Sequence, residues 1–187
     1  LCTFLIIFFS LYFKYLLLKF LKFISRLKLF KSFHGWRIVA SSGFINMFSV
    51  GIPFYAYSVF FIHLQNEFNA GRFLISSTLS IMIISGGIFA PICGQLVDKF
   101  SLKNILTIGT LIFGTGLIML GFSQSYYQFI LIFGSIVALG MTLFGNLTTA
   151  KLISNWFKNK IGSAIGYAAL GISLSGVFIP PITALLI

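Results

Sequence analysis

The chain has 187 residues, 58% hydrophobic and 8% charged, with mean hydropathy +1.05 and net charge +11. A water-soluble domain carries about a quarter charged residues, so a chain this poor in charge cannot cover a surface facing water and reads as an integral membrane protein. The positive charge sits in short segments between apolar runs; with no soluble basic face to meet nucleic acid, it marks membrane topology instead.

Residues 1–33, "LCTFLIIFFSLYFKYLLLKFLKFISRLKLFKSF", contain no Gly, Ala, Val, Asp, Glu or Met. Three origins stand open for this basic apolar leader. It is an amphipathic segment on the membrane surface, a targeting segment without an evident small-residue cleavage site, or spurious translation of AT-rich upstream DNA. The third is favoured, because Gly, Ala, Val, Asp and Glu all have codons beginning with G. Lys14, Lys19 and Lys22 interrupt any span across it.

Residues 34–187 read as one unit with five apolar stretches, at 38–62, 73–97, 105–122, 126–152 and 161–187. Each exceeds or approaches the roughly 20 residues with which a helix crosses the hydrocarbon. Lipid demands that the backbone satisfy itself, which favours helices over open strands. The expected fold class is therefore an all-α membrane protein of about five transmembrane helices. The chain stops at Ile187 inside an apolar run, as a fragment truncated at its C-terminus would.

The connections alternate in charge. Arg37 precedes the first stretch, Asp98, Lys99 and Lys103 follow the second, and Lys151, Lys158 and Lys160 lie at and after the end of the fourth. "HLQNEFNAGR" is close to neutral and "SQSYYQ" is uncharged. The positive-inside rule thus starts helix 1 on the cytoplasmic side, with Trp36 and Trp156 anchoring that interface and Tyr126 and Tyr127 the opposite one.

Cys2 and Cys93 are isolated, His34 and His63 are lone, and no spacing suits a metal. No "GxxxxGK[ST]" phosphate loop occurs. A membrane enzyme would need convergent His, Asp, Glu or Cys groups at depth, and the spans offer Cys93 near an end. No catalytic residue, metal or cofactor is therefore assigned, and the apolar stretches contain no acidic residue to relay protons.

Three groups of residues carry candidate function. "GQLVDKFSLKN" gathers Gly94, Asp98, Lys99 and Lys103 in one connection, where at least one lysine is expected to screen Asp98. Gly162 and Gly166, at i and i+4, form a small-xxx-small pair for close helix contact, and Gly171 and Gly176 carry the small face around the helix. Pro180 and Pro181 should kink or end that helix. Asn46, Tyr55, Tyr57, Asn146 and Tyr167 are polar groups inside spans, open to two readings: a central solute cavity, or interhelical hydrogen bonds.

"GQLVDKFSLKN" resembles the loop signature of the major facilitator superfamily: Gly, three residues, Asp, a basic residue, then Gly and basic residues. Gly94, Asp98, Lys99 and Lys103 match, while Ser101 stands where the pattern prefers Gly and Leu102 where it often has a basic residue. "HGWRIVASSGFINMFSVGIPFYAYSVFFIHLQNEF" and "NWFKNKIGSAIGYAALGISLSGVFIPP" are similar to bacterial monocarboxylate-transporter-like and oxalate/formate-antiporter-like members, and the resemblance runs from about Gly35 to Ile187. It implies most of the N-terminal six-helix half of a facilitator fold, in a bacterial plasma membrane, with a missing C-terminal half as partner. It also implies a secondary transporter of small solutes, organic anions such as monocarboxylates among them, working by alternating access with Asp98 as a cytoplasmic gate. The animal monocarboxylate branch carries a lysine in helix 1, and "PFYAYSVFF" has none. The alternative is an inert or accessory membrane fragment with no transport of its own.

Overall fold

A computed structural model of the chain describes residues 34–158 and 160–185. The leader at 1–33, and with it Cys2, lies outside the described residues. Among these residues every regular element is helical. Five helices are long and apolar enough to cross a membrane: α1 (Gly35–Glu67), α2 (Arg72–Lys99), α3 (Leu102–Gly121), α4 (Tyr126–Trp156) and α5 (Ile161–Leu185).

Most of these helices run past the apolar stretch that seeds them. The His63–Glu67 segment is polar, yet it continues α1, because a helix satisfies its own backbone in headgroup water as well as in lipid. Termination falls where the backbone allows it: Phe68 N–H bonds to the Leu64 carbonyl, and Asn69 takes φ 47°, a left-handed conformation that Asn tolerates. Asp98 and Lys99 form the last turn of α2 and Lys103 the first turn of α3, so the connection expected as a loop is reduced to Phe100 and Ser101. Lys151 stands within α4, which runs on to Trp156, past the expected end at 152. Glu67 and Asp98, the two acidic residues, are both helical and both at helix ends.

Of the two expected outcomes at Pro180 and Pro181, a kink or an end, the end does not occur: α5 continues through both to Leu185. Two N–H groups are lost there, while the Thr183 hydroxyl donates into the same turn, toward the Ile179 and Pro180 carbonyls at 2.9 Å each. The other proline within a span, besides Pro91 in α2, is Pro53. It lies in a π-helical segment of α1, Gly51–Ala56. A wide turn accommodates a residue that cannot donate and whose ring crowds the preceding turn. A second π segment, Phe133–Val137, interrupts α4.

α4 packs on α1, α2 and α3, and α5 lies along α1. The largest core cluster centres on Phe113, Val137 and Phe144, all at most 1% exposed, where α3 meets α4. Backbone proximity makes that contact: a Cβ on Gly140 would stand 2.6 Å from Phe113 N, and one on Gly109 would stand 2.8 Å from Phe144 N. At the crossing of α1 and α5, a Cβ on Gly171 would stand 1.9 Å from the Gly43 carbonyl oxygen. Without small residues neither pair of helices could approach this closely. Gly176 is a further contact of α5 with α1, under the Tyr55 ring. Gly162 and Gly166 have no neighbour within 4 Å of a Cβ position, so among the described residues that small-xxx-small pair makes no helix contact. The outer faces of α2 and α5 are apolar and exposed, from Phe73 to Leu96 and from Leu170 to Leu185.

Candidate functional site

The antiparallel spans bring Arg37, Lys99, Lys103, Lys151, Lys158 and Lys160 to one end of the bundle, and Glu67 and Arg72 to the other. At the basic end Asp98 occupies the last turn of α2. The carbonyl ends of a helix disfavour an anion there by about 0.3–1 kcal/mol. Lys151 offsets this from α4, with Nζ 2.8 Å from Asp98 Oδ1. This corrects the expectation that Lys99 or Lys103 screens the carboxylate. Residues i and i+1 do not face each other on a helix, and Lys103 lies beyond the turn on α3. Lys99 and Lys103 are exposed, and Gly94, one turn before Asp98, has no neighbour within 4 Å of a Cβ position. The result is an ion pair fastening α2 to α4, surrounded by open polar surface.

The polar residues inside the spans do not converge. Asn46 is 1% exposed, and its Oδ1 accepts from Thr149 Oγ1 of α4 at 2.9 Å, so it joins two helices. Tyr57 is buried, donates to the Ile75 carbonyl of α2 at 2.6 Å, and rests 5.3 Å from the Phe133 ring of α4. Both side chains take the interhelical reading. Tyr55 is half-buried against Gly176. Asn146 is exposed just after Gly145, where α4 bends. A Cβ on Gly145 would stand 2.4 Å from the Met141 carbonyl oxygen, so the bend requires glycine. Tyr167 is 57% exposed near the basic end, its ring 5.5 Å from Trp36.

Two side chains that join helices escaped sequence reasoning. Lys151 looked like one more topology signal. Thr149 is a span threonine, and such hydroxyls are ordinarily satisfied by their own helix. That holds for Ser41, Thr110 and Thr142, which donate to nearby carbonyls, but Thr149 also reaches across to Asn46. Near this contact Ser42 is fully buried, and among the described residues its Oγ has no hydrogen-bond partner. Cys93 is buried between α2 and its neighbours, and among the described residues no three His, Cys, Asp or Glu side chains gather to hold a metal.

Residues 39–187 match the family model described as Major Facilitator Superfamily. The MFS-type transporter YcxA of Bacillus subtilis is 27% identical over 143 residues, covering 75% of this chain and 35% of YcxA. Monocarboxylate transporter 4 of Rattus norvegicus is 32% identical over 141 residues, 73% of this chain and 29% of the relative. Monocarboxylate transporter 2 of Meriones unguiculatus is 33% identical over 138 residues, 73% of this chain and 28% of the relative. The chain therefore spans about a third of the length of the curated relatives it matches.

Proposed function

Because the chain belongs to the Major Facilitator Superfamily, we propose that the whole protein carries small organic anions, monocarboxylates foremost, across a bacterial plasma membrane by alternating access. It performs no chemistry on its solute. The basic end faces the cytoplasm, which satisfies the positive-inside rule. The observation that carries the reading is the Asp98–Lys151 ion pair, which ties the end of α2 to α4 and leaves Gly94, Lys99 and Lys103 free to meet a second transporter half.

Magnitudes divide the work at this gate. The two side chains are 64% and 45% exposed. A pair so wet contributes about 0.2–1 kcal/mol, roughly a 1.4- to 5-fold bias on a two-state equilibrium. The pair thus holds the Asp98 carboxylate in place, and the closing energy comes from contacts that this surface makes with the C-terminal half. Asp98, Lys99, Lys103 and Gly94 form the gate on this half, with Lys151 added.

The substrate class rests on the names of the monocarboxylate transporters that the chain resembles. No Lys or Arg lies midway along a described span, so the cation facing a carboxylate belongs to the C-terminal half. From this half Tyr55 and Asn146 offer hydroxyl and amide donors to the solute path, whereas the exposed Tyr167 lies outside it. The driving force is a solute or ion gradient.

Uptake into proteoliposomes by the full-length protein tests this reading, with lactate-sized monocarboxylates beside dicarboxylates. Monocarboxylate uptake is expected, and absence of uptake for every organic anion would remove the substrate class. Asp98→Asn is expected to slow uptake fivefold or more, the scale of an ordinary coupling free energy, with unchanged membrane insertion. A normal rate in that variant would reduce the turn to a topology signal.

A further inference from the structure

A cavity of about 530 Å³ opens where α4 hands over to α5, lined by Trp36, Asn155, Trp156, Lys158, Lys160 and Ser163 among others. Its volume is in the range of ligand sites. Phe157 is buried behind it, with Trp36 edge-on at 5.7 Å. Lys160 takes a left-handed backbone, φ 67°, before α5 begins. The polar side chains around the opening all carry donors, namely two ammonium groups, an indole N–H from each tryptophan, an amide and a hydroxyl, and the amide and hydroxyl also accept.

The chain supplies no counter-charge to these lysines. It has two acidic residues. Asp98 is paired with Lys151, and Glu67 ends the 33-residue span that begins beside Trp36. At the helical rise that is about 45 Å away. Two cations in a shared cavity, with no acidic partner among the described residues, leave room for an anion. Beside the opening, Tyr167 packs against Trp36, and Leu170 and Leu174 follow it on α5, all exposed. Their spacing of i, i+3 and i+7 sets them on one face. A cationic cup at the head of an exposed apolar track fits an amphiphile better than a free ion. The tryptophans place the cup at headgroup depth, where basic pockets between spans take lipid phosphates.

We propose that this cup holds the phosphate of an anionic membrane phospholipid, with an acyl chain along Tyr167, Leu170 and Leu174. The site does not depend on the transport reading. Its test is native mass spectrometry of the full-length protein in detergent, offered phosphatidylglycerol, phosphatidylcholine or inorganic phosphate. Two lysines at the membrane surface are expected to favour phosphatidylglycerol over phosphatidylcholine roughly tenfold to thirtyfold. The Lys158→Gln, Lys160→Gln double variant is expected to lose that preference, and Lys103→Gln, on the neighbouring turn, to keep it. Millimolar inorganic phosphate is expected to leave the lipid in place. Equal retention of the two lipids by the unaltered protein would overturn the proposal. So would an undiminished preference in the double variant, or release of the lipid by inorganic phosphate.

Discussion

Asp98 sits where its own helix disfavours it, and a lysine from another span compensates. Substituting Asp98→Asn and Lys151→Gln, singly and together, is expected to give a coupling of about 0.2–1 kcal/mol in thermal unfolding in detergent, shrinking as salt is raised. A coupling of several kcal/mol, indifferent to salt, would mean a buried pair and a different geometry at this end. Thr149 is the buried counterpart. Thr149→Val keeps the shape and leaves Asn46 Oδ1 without its interhelical donor. Hydrogen bonds between membrane helices average about 0.6 kcal/mol with a maximum near 1.7, and the loss of stability is expected within that range. Neither partner was legible in the sequence. A carboxylate advertises that it needs a cation, but which of several lysines answers is decided by how spans pack. Asn46 was legible as a polar group with two possible fates, and the α1–α4 contact determines which one it meets.

At the scale of elements, the five spans were legible because lipid leaves so few choices: roughly 20 apolar residues must become a helix. Their ends were less so. Hydropathy marks where hydrocarbon stops, whereas the helices stop at local signals such as Asn69, and Pro180 and Pro181 do not break a membrane helix whose alternatives are worse. Glycine spacing revealed a small face on α5 without its partner. Gly171 presses on the Gly43 carbonyl, and Gly162 faces open space. Gly171→Ala is therefore expected to destabilise the protein by about 1–3 kcal/mol through overpacking. Gly162→Ala is expected to change stability by no more than about 0.5 kcal/mol, or to raise it slightly through helix propensity. Melting curves of the two variants side by side check this, and equal losses would show that the crossing of α1 and α5 lies elsewhere along α5.

At the scale of the molecule, the five spans, the alternating connections and the family match describe one integral, multi-pass membrane bundle with its described lysines gathered at one end. That gathering was legible from charge alone. The lack of a central cluster among Asn46, Tyr55, Tyr57, Asn146 and Tyr167 was not, because a polar residue in lipid reads the same whether it faces a solute or another helix. The proposed gate and the proposed lipid cup both require the basic end at the cytoplasmic surface. Cysteine accessibility tests that placement most directly: single cysteines at Lys103 and Gln124, in a chain with Cys2 and Cys93 replaced by serine, treated with an impermeant thiol reagent on intact cells. The account expects label at position 124 in intact cells and at position 103 after permeabilisation alone. Label at position 103 on intact cells would contradict it.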